Sequence, residues 1–278
     1  MAILYRLVLL GESLYWGDLF LYFYPLEHVI RESLLTGQLP LWNRFVLCGQ
    51  PLIGNPQSWV FYPSTVLLAF LPVFLYFTVN TALHLTLAGF FSYLYLRRIC
   101  ADRLGAILGS ITYAGSGFLI ARLQFPTMVQ TAAYLPVLLL LIDRMVDRPR
   151  VGTAALLALS VSLLLLAGHT QLAYMSLACA ACYASARLYQ IRRHRLRLGT
   201  SLRWMLLGVP LGVMAAAVQL LPALQLFRLS TREQLGWVQA NRFVLLPEQL
   251  INFFLPNYFG SPARGDYWGA GNAWEPCV

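Results

Sequence analysis

The chain has 278 residues, 59% of them hydrophobic and only 11% charged, whereas a soluble domain averages about 25% charged. So much apolar surface does not fit inside one soluble core of this size, and composition therefore excludes an ordinary soluble domain in favour of a polytopic membrane protein. The net charge of +9 comes from 20 basic residues, all of them arginine; they gather in short loops between apolar runs, which is the pattern of membrane topology and not of nucleic-acid binding.

Residues 1–10 are apolar but reach only about 15 Å at 1.5 Å per residue, half a bilayer. They read as a partial first transmembrane helix. The chain also stops within a Trp/Gly/Pro-rich tract, so a fragment truncated at both ends is expected. Residues 11–75 are predicted to form a large extracytoplasmic loop with juxtamembrane helices. Pro25 and Gly37 bracket a helix of about three turns, since Pro favours the first helical position and Gly the position after the last. Leu26, Val29, Ile30, Ser33 and Leu34 fall on one face of it. Glu27, His28, Arg31 and Glu32 fall on the other, with Glu27 and Arg31 spaced for an i,i+4 pair. The helix is too short and too charged to span, and is expected to lie in the interface with its apolar face down. Residues 38–63 follow as an aromatic-rich loop whose Trp42, Trp59, Phe61 and Tyr62 suit the headgroup level. Ser64 to Leu71, bounded by Pro63 and Pro72, is too short to cross and reads as a re-entrant or juxtamembrane piece.

Residues 76–221 are predicted to hold six transmembrane helices: 76–96, 104–121, 126–145, 151–167, 170–190 and 202–221. The loops after the first, third and fifth carry Arg97, Arg98, Arg103, Arg144, Arg148, Arg150, Arg192, Arg193, Arg195, Arg197 and Arg203; the two opposite turns carry only Arg122. The arginine-rich loops are therefore expected to be cytoplasmic. That places the first loop and residues 222–278, a truncated second loop, together on the extracytoplasmic side. The acidic residues lie in loops and at span ends, away from mid-membrane, which argues against an ion-coupled carrier. Of the five cysteines, only Cys48 and Cys277 share the outer side, which leaves a disulfide between them open.

Asp18 follows a glycine just past the chain's emergence from the membrane. A carboxylate there could accept a proton from an acceptor hydroxyl or help hold a metal, or simply cap a helix. Arg228, Arg232 and Arg242 break the topology trend by lying outside. Their guanidinium forks suit a lipid phosphate or diphosphate; snorkelling to headgroups is the alternative. His169 and Gln171, at an outer turn after Gly168, could bind a substrate hydroxyl or phosphate oxygen, or cap a helix end. His84 with Asn80 and Thr81 makes a polar stripe suited to interhelical hydrogen bonds, and Gly115-Ser116-Gly117 reads as close helix packing. No phosphate loop, metal spacing or nucleophile elbow occurs. No cofactor is required, and a divalent metal is left open. Because the cytoplasmic loops are too short to build a nucleotide site, an outer-face enzyme would need a donor already carried by a lipid.

Several tracts together resemble the YfhO family of bacterial polytopic membrane proteins, which look like GT-C-type glycosyltransferases. They are Gly17-Asp18 with Tyr24-Pro25, Gly37 to Asn43, Gly49-Gln50-Pro51, Asn55-Pro56-Gln57 and Phe61-Tyr62-Pro63. Later come Gly168-His169 with Gln171, Gln219 to Pro222, Ser230 with Arg232, Leu255 to Gly260, Tyr267-Trp268-Gly269 and Trp274-Glu275. The resemblance implies an all-α, GT-C-like transmembrane bundle with an interfacial helix in its large first extracytoplasmic loop. It also implies a multi-pass protein of the bacterial plasma membrane. Asp18 matches the acidic residue that serves such enzymes as catalytic base or metal-associated group.

The implied activity moves a sugar from a polyprenyl-phosphate-linked donor to an envelope polymer or lipid on the extracytoplasmic face. The expected partners are that donor, membrane lipids and a glycan or lipid acceptor, with no nucleic acid. In this reading Asp18 is catalytic, Trp42, Asn43, Asn55 and Gln57 shape the sugar pocket, and His169, Gln171, Arg228 and Arg232 complete the substrate site. A lipid or polysaccharide transporter or flippase without catalysis is the alternative, and a non-catalytic envelope scaffold is a third reading.

Overall fold

The computed structural model describes residues 10, 12, 14, 17–46, 48–99, 102–193, 195–230, 246–255, 258–260 and 264–269. Among these the chain is almost wholly helical. The one strand pair is a short antiparallel hairpin, β1 (Trp42–Asn43) with β2 (Gln50–Pro51), in the register Trp42↔Pro51 and Asn43↔Gln50.

The first loop is folded. It opens with a π-helical turn, Leu19–Phe23, in which the Tyr24 N–H reaches back to the Leu19 carbonyl. Pro25 accounts for the wide turn: it has no N–H to donate and its ring crowds the preceding carbonyls, so the helix widens there. Helix α1 (Tyr24–Leu35) follows and ends before Gly37, at φ +69°. Two 3₁₀ turns, Pro56–Ser58 and Pro63–Ala69, complete the loop.

Helix α1 keeps a wet face at His28 and Glu32 and a dry one at Leu26 and Ile30, but Glu27 and Arg31 depart from the expected polar face. Glu27 is completely buried with Leu26 and Ile30, and among the described residues neither of its carboxylate oxygens has a hydrogen-bond partner. Arg31 does not pair with it. Its Nε donates to the carbonyls of Leu68 and Leu71, both at 3.0 Å, taking up backbone acceptors at the end of the second 3₁₀ turn. This turn and the following long helix both pack on the helix, while Pro25, His28, Glu32 and Leu35 remain exposed along one stripe.

The bundle comprises α2 (Val73–Ile99), α3 (Arg103–Ala114), α4 (Gly117–Ala121), α5 (Pro126–Ala132), α6 (Leu135–Asp147), α7 (Val151–Leu166), α8 (Thr170–Gln190), α9 (Arg195–Ala215) and α10 (Ala217–Arg228). Among the described residues, four stretches are long and apolar enough to cross a membrane: Val73–Ile99, Arg103–Ala121, Pro126–Asp147 and Arg197–Ala215. Helix α7 is apolar but shorter. Helix α8 has the length, at 21 residues, but carries Thr170, Gln171, Ser176, Ser185, Arg187 and Gln190. The sixth predicted span, 202–221, is divided at Ala216, where α9 ends and α10 begins. Helix α6 is the hub and packs on α2, α7, α8 and α9. Around the perimeter Leu108, Ile111, Leu206, Leu211 and Met214 face outward, an apolar belt suited to lipid.

Two breaks have local causes. Pro136 cannot donate to the Ala132 carbonyl four residues back, and the Tyr113 hydroxyl takes that acceptor at 2.8 Å. At Gly115-Ser116-Gly117 the tight packing expected from the sequence is absent. Gly115 ends α3, and the Ser116 side chain accepts from Leu119 N to start α4. A Cβ at Gly117 would meet nothing within 4 Å. Small-residue packing occurs instead between α9 and α7. A Cβ at Gly208 would lie 2.9 Å from the Ala154 carbonyl oxygen, and one at Gly212 would press on the Ala158 carbonyl and lie 2.7 Å from Val161 Cβ. Gly212→Ala is therefore expected to destabilise the detergent-solubilised protein by about 1–3 kcal/mol, measured by thermal unfolding. An unchanged midpoint would mean that the two helices separate freely.

At the arginine-rich end, buried Asp143 of α6 binds Arg98 of α2 at 2.6 Å and Arg187 of α8 at 2.7 Å, and Asp147 pairs with Arg98 as well. The chain divides into two compact units, 1–226 and 227–278. Within the second, the described residues include a 3₁₀ turn, Pro247–Phe253, and an aromatic cluster in which the Trp268 ring meets Phe259 edge-on at 4.9 Å and Tyr258 at a tilt at 5.6 Å. The partial helix expected at residues 1–10 and the Cys277 partner proposed for Cys48 lie outside the described residues, save Leu10.

Candidate functional site

Away from the arginine-rich end, three segments far apart in sequence meet. The first is Gly17-Asp18 at the π turn. A Cβ on Gly17 would lie 2.5 Å from the Gln124 side-chain oxygen, so the turn before α5 rests on the backbone beside Asp18. The second is the Pro56–Ser58 turn. The third is Gly168-His169, between α7 and α8. A Cβ on Gly168, at φ +95°, would lie 2.7 Å from the Pro56 carbonyl oxygen, 2.9 Å from Thr127 Cγ2 and 3.5 Å from Gln57 Cα.

Asp18 is exposed, and its side chain makes no capping hydrogen bond. Asn55 has its amide committed locally: Oδ1 accepts from Gln57 N at 3.1 Å, and Nδ2 donates to the Tyr22 hydroxyl at 2.7 Å. It thus ties the turn to the π helix and has little left for a sugar. Gln57 is half-buried, with no partner for its side-chain amide among the described residues. Gln219 of α10 braces the same loop by donating to the Ile53 and Asn55 carbonyls.

His169 caps α8, its Nδ1 accepting from Leu172 N at 3.1 Å. Since Nδ1 accepts, the ring proton sits on Nε2, which is left as a donor. Burial, with the nearby Arg122 charge adding to it, holds this imidazole below its ordinary pKa against an opposing backbone hydrogen bond, so it is neutral at pH 7. Gln171 is exposed on the first turn of α8. Arg122 was not singled out from sequence as a site residue. Its electrostatic reach to His169, and its place two residues before Gln124, bring it to the same cluster. The signal was there: it is the lone formal charge in the turns opposite the arginine-rich loops.

Other expected site residues lie elsewhere. Trp42 is exposed with its indole against Gly49 of its own hairpin, and buried Asn43 accepts from Phe45 N at 3.0 Å; both serve the hairpin. Arg228 closes α10 within the second unit, and Arg232 lies outside the described residues. Trp59 and Tyr62 are core and not headgroup anchors. Trp59, in the left-handed region at φ 32°, is fully buried and donates to the Tyr76 hydroxyl at 2.9 Å. Tyr62 is buried between His84 Nε2 and the Tyr134 hydroxyl, each at 2.7 Å. His84 Nδ1 faces the Asn80 carbonyl at 2.7 Å. A carbonyl only accepts, so Nδ1 donates to it and Nε2 accepts from Tyr62. His84 thus ties α2 to the first loop and, through Tyr62, to the α5–α6 break, whereas the buried side chains of Asn80 and Thr81 make no hydrogen bond among the described residues. Each ring finds its polar partner inside, which removes the reason to stay at the headgroups. Among the described residues no three His, Cys, Asp or Glu side chains converge as a metal site.

The family model described as "Bacterial membrane protein YfhO" matches residues 12–265. The chain belongs to the YfhO family. No curated protein matches it, and no solved structure does. This YfhO protein is therefore a bacterial membrane protein, and the matched region takes in the whole cluster around Asp18.

Glu27 lies on α1, the helix that follows the π turn. Burial raises its pKa well above the ordinary carboxylate value. A raised folded value means the fold favours the protonated form. Stability from this group is complete below the unfolded pKa near about 4.3 and is lost as pH rises through the folded value. Glu27→Gln is expected to remove that loss and raise the melting temperature at pH 8 by about 2–4 °C, the equivalent of about 1 kcal/mol. A scan from pH 5 to pH 8 in which wild type and variant run parallel would show that Glu27 carries no such penalty.

Proposed function

We propose that this YfhO protein is a membrane glycosyltransferase of GT-C type, moving a sugar from a polyprenyl-phosphate-linked donor to an envelope glycan or lipid on the extracytoplasmic face. The observation that supports the reading is that Gln124, two residues after Arg122, sits against Gly17, the neighbour of Asp18, while the Arg122 charge acts on His169. In this reading Asp18 is the base and Arg122 the phosphate-binding cation.

In the proposed reaction an acceptor hydroxyl attacks the anomeric carbon. The bond from that carbon to the phosphate oxygen breaks, and its electron pair stays on the lipid phosphate. Asp18 takes the hydroxyl proton. Arg122 and the Nε2–H of His169 offset the charge gathering on the leaving phosphate, the largest contribution expected in such a site. Gln57 and Gln171 supply amide groups to the sugar hydroxyls.

The test is the full chain reconstituted in liposomes with a radiolabelled polyprenyl-phosphate sugar and an extracted envelope acceptor. Label appearing on the acceptor supports the reading. Movement of intact donor across the bilayer with no label on the acceptor would replace it with the flippase reading.

A further inference from the structure

At the opposite end of the bundle, a cavity of about 410 Å³ is lined by Arg98, Arg144, Asp147, Arg148, Arg150 and Thr153. Its volume falls in the roughly 300–1,000 Å³ range of small-ligand sites. Four guanidinium groups face one carboxylate, and that carboxylate is already engaged by Arg98 and, at 3.6 Å, by Arg187. Among the described residues no carboxylate pairs with Arg144, Arg148 or Arg150. These three come from the last turn of α6 and the turn into α7. Thr153 belongs to the first turn of α7, a 16-residue helix whose N-terminal N–H groups receive no side-chain cap from Arg150. The positive end of that helix therefore adds to the arginine charge.

We infer that this cavity binds a phosphate group, supplied by the head group of an anionic phospholipid. Unpaired guanidinium forks match phosphate oxygens two at a time. The cavity opens where α2, α6 and α7 end, at the level where headgroups of the surrounding bilayer lie, and the arginine-rich side is the one expected to meet an anionic leaflet. Asp147 would repel an anion placed against it, so the phosphate belongs toward Arg144, Arg148 and Arg150. This site is separate from the Asp18 cluster and does not depend on the glycosyltransferase reading.

The test uses the delipidated full-length protein in detergent, with phosphatidylglycerol, phosphatidylcholine or inorganic phosphate added, read by native mass spectrometry and thermal unfolding. Phosphatidylglycerol is expected to be retained at least tenfold more than phosphatidylcholine, and the R144Q/R148Q/R150Q variant to lose that preference. A stabilising shift with inorganic phosphate that disappears in the variant, without lipid retention, would keep the phosphate site and assign it to a soluble phosphate. Retention of phosphatidylglycerol by the variant at the wild-type level, or no response to either phosphate source, would overturn the inference. Loss of positive charge can disturb insertion. R144K/R148K/R150K keeps the charge and loses the forks, and is expected to retain at least threefold less lipid; unchanged retention there counts against the site.

Discussion

Asp18→Asn is expected to cut glycosyl transfer by about 10²- to 10⁴-fold, the range for loss of a positioned general base, with the fold intact. Asn is nearly isosteric but cannot take a proton at neutral pH. The side chain is exposed and caps nothing, so no packing is lost and the stability should stay within about 0.5 kcal/mol of wild type, as for other surface substitutions. Transfer from the same labelled donor measures the effect. The loss should fall on kcat more than KM, because the carboxylate acts on the acceptor hydroxyl as the bond forms. Near-normal turnover would remove Asp18 from the chemistry and leave the corner around Arg122 as a binding site only.

The second large effect is expected at Gly168, where the α7–α8 turn is wedged against the first loop. Alanine there pays about 1–2 kcal/mol for a left-handed backbone. It pays about 1–3 kcal/mol more for a Cβ driven at the Pro56 carbonyl and Thr127. The sum corresponds to a fall of roughly 5–15 °C in melting temperature for a chain of this size. Transfer should fall too, because the clash separates Gln57 from His169. Gly199→Ala is the control: a Cβ there meets nothing within 4 Å, and helical alanine is neutral to mildly stabilising. Equal melting temperatures for the two variants would show that the α7–α8 turn is not held against the loop.

What could be read from sequence is what depends on near neighbours. Pro25 and Gly37 delimit α1 because φ restriction and φ freedom act within one turn. Apolar runs gave the helices of the bundle because length and composition alone decide whether a segment suits a bilayer. The residues that went astray depend on distant partners. Glu27 lies at a polar position on the helical wheel, but α2 and the Pro63–Ala69 turn close over it. Gly115-Ser116-Gly117 has the composition of a packing motif, and it took the capping role that Gly and Ser fill equally well. Trp59 and Tyr62 have the chemistry of interfacial anchors, and only Tyr76, His84 and Tyr134 draw them inward. For the site, the sequence pointed to Gly168-His169 and to the Asn55–Gln57 turn. Their meeting with Gly17-Asp18 through Gln124 is a property of the folded loop alone.

Asp143 joins the ends of α2, α6 and α8 through two arginines, and this fixes where the bundle can give way. At the other end the helices are held through loop contacts, Gly168 against Pro56 and Gln219 on the Ile53 and Asn55 carbonyls, which can part without breaking an ion pair. On the proposed reading a long prenyl tail would enter sideways from that end, with its far end pointing toward the pinned tip.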